Sequence, residues 1–178
     1  MIKFTVANLG VNNVEKYCTD PHAELDCTIE VEKKLFIMKA GDDLLQDMLF
    51  NQLTSFLLKT CEIHNVDLFA YPYGVVATSF NEGIIECIPN SKSIHELLGK
   101  NKSMEEVFIG RYGHKNLKEM QDAKYEYIRS LAMALLLMYV FLLRDRHNAN
   151  LMLDKSGHYL NIDFGFIFGN FDEVNFFN

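Results

Sequence analysis

The chain has 178 residues, 49% of them hydrophobic and 12% aromatic, enough to bury a core in one domain or two small lobes and too apolar for a disordered protein. Charged residues make up 23% and the formal net charge is −7, which excludes bulk electrostatic attraction to nucleic acid or acidic lipid. An anionic ligand must therefore be held by local groups.

In chain order, the β-prone stretches Ile2 to Val6 and Thr28 to Met38 predict two or three strands, separated by a polar, proline-containing connection around Asp20 to Asp26. From Asp42 to about His64 the period changes. Leu45, Leu49, Leu53 and Leu57 recur every fourth residue beside Met48 and Phe56, which marks an amphipathic helix, and the acidic pair Asp42 and Asp43 suits its N-terminus. Tyr73 to Ser79 and Ile84 to Ile88 read as strands joined by a turn at Phe80-Asn81-Glu82-Gly83, and Pro89 stops the second.

Ser93-Ile94-His95-Glu96 has capping-box spacing and opens a short helix that Gly99 ends. A second short helix is predicted over Met104 to Ile109. Leu117 to Leu143 reads as helical nearly throughout, amphipathic first and then apolar on all sides, so its end is expected inside the domain. Its apolar run from Leu131 to Leu143 is thirteen residues, below the roughly 20 that cross a bilayer, so contact with a membrane is expected to be peripheral. Leu151-Met152-Leu153 and Tyr159-Leu160-Asn161-Ile162 flank the turn Asp154-Lys155-Ser156-Gly157 and predict a hairpin. The order of elements predicts an α+β fold of two lobes, 1–88 and 89–178. The cysteines, Cys18, Cys27, Cys61 and Cys87, show no metal-binding spacing and read as reduced, buried thiols of a cytosolic protein, and no secretory signal is read at the start.

The most informative segment is Arg144-Asp145-Arg146-His147-Asn148-Ala149-Asn150, a polar cluster directly after an apolar helix, where loops tend to be functional. Folding the following hairpin about its turn returns the chain, so Asn150 before the first strand approaches Asp163 after the second. One amide oxygen and one carboxylate then face a common point, a hard-oxygen pair suited to Mg²⁺ and to the phosphates it bridges. A magnesium nucleotide is the natural ligand. Asp163-Phe164-Gly165 also matches the D-F-G element of kinases, but the preceding loop runs D-R-H where protein kinases carry H-R-D.

Asp145-Arg146-His147-Asn148-x-Asn150 and Ile162-Asp163-Phe164-Gly165-Phe166 resemble the catalytic and metal-binding loops of the phosphoinositide 3-/4-kinase superfamily. Phe36-Ile37-Met38-Lys39-Ala40-Gly41-Asp42-Asp43-Leu44-Leu45-Gln46-Asp47 resembles its strand-to-helix segment. Within the superfamily, Asp67 to Thr78, Gly83 to Pro89 and the basic Arg144 before D-R-H look most like the type III alpha 4-kinases. The resemblance runs to about Gly169 and implies a bilobal kinase-like fold, with an antiparallel-sheet N-lobe carrying a helix and a helical C-lobe.

The resemblance also implies roles. Lys39 pairs with ATP phosphates. Asp47 and Tyr73 line the inner nucleotide pocket, and Glu86 to Ile88 form a hinge whose backbone groups meet adenine. Asn150 and Asp163 hold Mg²⁺, and Asp145 and His147 are the candidates for handling the inositol hydroxyl proton, their roles left open. The implied activity is transfer of a phosphoryl group from ATP to the 4-hydroxyl of phosphatidylinositol in a membrane surface, with regulatory or scaffold proteins as partners and a location between cytosol and plasma membrane or endoplasmic reticulum. Shared motifs leave a phosphoinositide 3-kinase or related protein kinase as a second reading, and a nucleotide-binding pseudokinase fragment as a third.

Two positions depart from the pattern. Leu45 stands where relatives commonly carry Arg, and Asn161 where His commonly precedes I-D-F-G. The pattern's phosphate loop and the rest of its activation loop and C-terminal helices fall outside the sequence. The expectation is thus a kinase domain cut short at both ends, with apolar surface exposed on Leu131 to Leu143.

Overall fold

The computed structural model describes residues 2–8, 30–113 and 117–169, with side chains described from Lys34 onward. Among the described residues, two antiparallel sheets and four helices make an α+β fold. The first sheet has the order β1-β2-β4-β3, from β1 (Ile2–Asn8), β2 (Glu30–Ala40), β3 (Val75–Ser79) and β4 (Glu82–Glu86). Its central pairing sets Lys39 opposite Gly83 and Phe36 opposite Glu86.

The β3–β4 turn is shorter than the sequence predicts, because Glu82 and Gly83 belong to β4 and only Phe80 and Asn81 turn. Gly83 answers a packing need instead. A Cβ there would lie 2.5 Å from the Val76 carbonyl oxygen and 2.6 Å from the Leu44 side chain.

The helix α1 (Leu45–Ile63) begins three residues after Asp42, with the Asp43 carboxylate accepting the Leu45 amide at 2.9 Å. Its most buried face is offset from the predicted leucine stripe. Asp47, Phe50, Asn51 and Thr54 are buried, whereas Leu45, Leu49 and Phe56 are exposed on the opposite side. The 3.6-residue period holds, but polar Asp47, Asn51 and Thr54 share the inward face with Phe50, and of the predicted leucine stripe only Leu53 and Leu57 pack at its edge. The connection from α1 to β3 is fastened to the second half of the chain: Asp67 pairs at 2.7 Å with Arg129 of the long helix described below, and Phe69 stacks at 3.8 Å on His158, just before the last described strand.

The second sheet, β5-β6-β7, is built from β5 (Lys92–Ser93), β6 (Leu151–Leu153) and β7 (Tyr159–Asn161), and the predicted hairpin is its β6–β7 pair. α2 (Ile94–Leu98) starts at the Ser93 cap, which accepts the Glu96 amide, and ends at Gly99. α3 (Met104–Tyr112) outlasts its predicted end and opens on a complete capping box of Ser103 and Glu106.

α4 (Leu117–Val140) stops short of Leu143. Leu142 takes a positive φ of 50° and breaks the helix, which lets Phe141 and Leu143 on either side both turn into the core. The end of α4 is also not buried all round. Met133, Ala134 and Leu137 are buried, while Leu135, Leu136, Tyr139 and Val140 are exposed. Among the described residues no helix is long and apolar enough to cross a membrane. Cys61 and Cys87 are free and only partly buried, and Cys18 and Cys27 lie outside the described residues.

The main core joins both halves of the chain. Leu44, Phe50, Tyr73 and Val75 from the first half pack with Met133, Leu137, Phe141, Leu143, Phe164 and Ile167 from the second. The boundary expected at 88/89 falls between β4 and β5, and of the residues singled out from the sequence Lys39, Asp47, Tyr73 and Asp163 meet where the two halves join.

Candidate active site

Lys39 lies near the end of β2, two residues before the turn through Gly41, whose φ of 91° suits glycine. That turn folds Asp42 back so that its carboxylate sits 2.6 Å from the Lys39 ammonium, while Asp163 is 3.7 Å away. Burial pulls the ammonium down, but the hydrogen bond to Asp42 and the charges of Asp163, Asp42 and Asp47 outweigh it and hold Lys39 above its usual range.

Asp47 is the buried anchor of the site. Its carboxylate accepts the Tyr73 hydroxyl and the Phe164 amide, each at 3.2 Å. The Tyr73 hydroxyl in turn accepts the Asp163 amide at 3.3 Å, so helix α1 and Tyr73 together bind two successive amides of the D-F-G segment. Burial raises Asp47 above the ordinary aspartate range, offset in part by the Phe164 amide, Lys39 and Tyr73. Burial and the Asp47 charge push the Tyr73 hydroxyl well up, so it stays protonated and able to donate.

Two residues the sequence reading passed over complete this arrangement. Asn51 donates to the Asp47 carbonyl at 2.8 Å and accepts the Tyr73 amide at 3.0 Å. It was findable, since Asp47, Asn51 and Thr54 recur with helical period opposite the leucine stripe. Arg146 donates to the Ile162 carbonyl at 2.7 Å, to the Asp163 carbonyl, and to the Arg144 carbonyl at 2.8 Å, with its guanidinium 5.8 Å from the Phe164 ring centre. Its amides bound from one side and its carbonyls from the other, the segment is held with Asp163 at a φ of 63°, a conformation a non-glycine residue keeps only when its surroundings dictate it. Phe164 is buried and stacks on Phe50 at 3.7 Å between ring centres.

The β6–β7 register pairs Leu151 with Asn161, and the Ile162 amide donates to the Asn150 carbonyl at 3.0 Å, so the hairpin brings Asn150 beside the residue preceding Asp163. The Asn150 amide nitrogen donates to the Asp145 backbone carbonyl at 3.0 Å and lies 3.4 Å from its carboxylate. That bonding turns the nitrogen toward Asp145 and leaves the amide oxygen for another partner, as a metal ligand requires. Among the described residues no three or more His, Cys, Asp or Glu form a metal cluster, so an ion here would rest on one carboxylate, one amide oxygen and a ligand's phosphates.

Asp145 and His147 sit on the exposed side of the same loop, the imidazole Nε2 lying 3.8 Å from the Asp145 carboxylate. The Ala149 amide donates to His147 Nδ1 at 3.2 Å. In the segment expected to form a hinge, the Glu86 side chain is occupied structurally, paired with Lys34 at 2.7 Å and accepting the Gly74 amide at 3.0 Å, while the Ile88 carbonyl accepts the Ser91 hydroxyl. The Asn161 amide oxygen is buried without a protein partner among the described residues. The departure from His at that position thus leaves polar support behind the segment incomplete.

A four-stranded antiparallel sheet and its helix, set on a largely helical second half around a lysine, a buried aspartate and a D-F-G segment, define the α+β kinase-like class. The chain matches the description "Phosphatidylinositol 3- and 4-kinase" over residues 34–116 and 100–177, and it belongs to that family. It is 34% identical over 94% of its length to phosphatidylinositol 4-kinase alpha-like protein P2 of Homo sapiens. To phosphatidylinositol 4-kinase STT4 of Saccharomyces cerevisiae it is 39% identical over 78%, and to phosphatidylinositol 4-kinase stt4 of Schizosaccharomyces pombe 34% over 90%. These alignments cover 33%, 7% and 8% of the relatives' own lengths.

Proposed function

We propose that the chain is the nucleotide-binding and catalytic core of a phosphatidylinositol 4-kinase, using Mg·ATP to phosphorylate the inositol 4-hydroxyl of phosphatidylinositol at a membrane surface. The observation that carries the reading is the convergence of Lys39, Asp47, Tyr73 and Asp163 at the meeting of the two halves, in a chain whose relatives above are named as 4-kinases. The halves 1–88 and 89–178 act as the two lobes that close on the nucleotide.

Phosphoryl transfer asks mainly for positioning and charge neutralisation. Lys39 supplies a cation at the edge of the cleft, and the Asp47–Tyr73 pair holds the backbone of Asp163 and Phe164 in place. Leu35 and Ile37 alternate onto the same strand face as Lys39 and offer partly exposed apolar area for adenine, with backbone groups of 86–88 at its edge. When bound, Mg²⁺ supplies charge neutralisation of the phosphates, and Asn150 and Asp163 would hold it.

For the inositol proton, the Ala149 amide bonded to His147 Nδ1 favours the tautomer with its proton on Nε2, which leaves neither ring nitrogen free to accept. This supports Asp145 as the acceptor and His147 as the group that orients it. The protein works as a peripheral visitor from the cytosol with regulatory or scaffold proteins as partners, and no role with nucleic acid is assigned to it.

The test is product analysis after incubation with Mg·ATP and either phosphatidylinositol vesicles or a peptide mixture. Phosphatidylinositol 4-phosphate as product supports the proposal. The 3-phosphate or a phosphopeptide would favour the kindred 3-kinase or protein-kinase reading, and nucleotide binding without any product would favour the pseudokinase one.

A further inference from the structure

The lysine assigned to ATP phosphate has a nearer partner within the chain. Asp42 lies 2.6 Å from the Lys39 ammonium, against 3.7 Å for Asp163, and the pair closes a tight turn between the end of β2 and the start of α1. Three local features build this contact. Gly41 takes a φ of 91° and its amide is tied to the Asn81 carbonyl at 2.7 Å, which bends the chain back on itself. Asp43 is used elsewhere, capping the Leu45 amide. The first turn of α1 carries Leu45, half exposed, and no cation that could draw Asp42 away.

We propose that Asp42 is a resting counter-ion for Lys39, an intramolecular competitor that the nucleotide's phosphates must displace before the lysine can bind them. The inference rests on the reading of Lys39 as the phosphate-binding lysine. Asp42 is more than half exposed and lies on a turn, so its carboxylate can swing to solvent once the lysine changes partner. Asp163 keeps its backbone bonds to Tyr73 and Arg146 and stays in place. Asp42 therefore sets nucleotide affinity without entering the chemistry. Neutralising it releases the lysine, and the gain is that of a partly exposed ion pair, about two- to fivefold in affinity.

The experiment is a thermodynamic cycle in which Mg·AMP-PNP binding is titrated calorimetrically to the parent chain, Asp42→Asn, Lys39→Met and the double variant, with circular dichroism of each as a check on folding. Asp42→Asn is expected to tighten binding about two- to fivefold in the parent and to change nothing in the Lys39→Met background. Asp42→Ala should reproduce the first result. Weaker or unchanged binding in Asp42→Asn overturns the proposal, and so does an equal gain in both backgrounds, which would make the effect one of general charge. A Lys39→Met chain that binds as the parent does would instead remove the phosphate role of Lys39. Binding by none of the four would remove the nucleotide site, so these failures are told apart.

Discussion

At the scale of single residues, the site is a set of polar groups whose burial is compensated by one another. Asp47 shows this best, since burial alone would make its charge costly and the Tyr73 hydroxyl and Phe164 amide make it tolerable. Because its folded value is raised, this group's contribution to stability is fully present below the ordinary aspartate range and is lost as pH rises through the raised value. Asp47→Asn keeps the acceptor oxygen and removes that slope. Urea unfolding between about pH 4 and 7 should show the parent losing stability relative to the variant as pH rises, and parallel profiles would contradict this. Arg146 makes a different prediction. Its fork spans two carbonyls of the D-F-G segment, which a lysine cannot reproduce, so Arg146→Lys and Arg146→Ala should both lower turnover about a hundredfold while leaving Mg·ATP affinity within a few-fold. A fall in nucleotide affinity with unchanged turnover would refute that role. Motif residues such as Lys39, Asp145, Asn150 and Asp163 were legible in the sequence because their types are unusual where they stand. Arg146 had no such signal, because its role is to bond backbone groups that only the folded chain brings near, and Asn51 could be found only through its helical spacing with Asp47 and Thr54.

At the scale of elements, turn and cap chemistry was the most legible part. Ser93 and Gly99 bound α2 as predicted, and the predicted hairpin forms as β6–β7, with Leu151 paired to Asn161. The failures have physical causes. The α1 stripe marked an amphipathic helix, but the deepest face carries Asp47 and Asn51 beside Phe50, so Leu45 and Leu49 point outward while Leu53 and Leu57 still pack on the core. The end of α4 was overextended because nothing in the residue types around Leu142 announces a positive φ. Two substitutions test the element-level account. Ser103→Ala removes half of the α3 capping box and should cost about 1 kcal/mol in chemical unfolding. Gly83→Ala drives a methyl against the Val76 carbonyl and Leu44 and should cost about 1–3 kcal/mol, enough to loosen the floor beneath Lys39, its cross-strand partner. Neutral behaviour of Gly83→Ala would mean that the strands separate there at little cost.

At the scale of the molecule, the core that joins the two halves also places the candidate site, because Phe164 of the D-F-G segment is packed between Phe50 and Tyr73 of the first half. Overall architecture followed from motif order, and the family comparison agrees with it. The apolar surface predicted over Leu131 to Leu143 is present: Leu135, Leu136, Tyr139 and Val140 on the long helix and Leu142 just after it are exposed. Sedimentation of this chain alone should therefore show concentration-dependent self-association, with hydrophobic-dye binding that falls as the chains associate, whereas a clean monomer with little dye binding would count against a continuous patch. The central claim is that the gathered residues transfer phosphate to a lipid, and one assay addresses it directly. The parent chain and Asp163→Ala are incubated with radiolabelled Mg·ATP and phosphatidylinositol vesicles, and the labelled ring position is determined. The account predicts label at the inositol 4-position that is lost in the folded variant. Label that survives the substitution, or appears at another position, would contradict it.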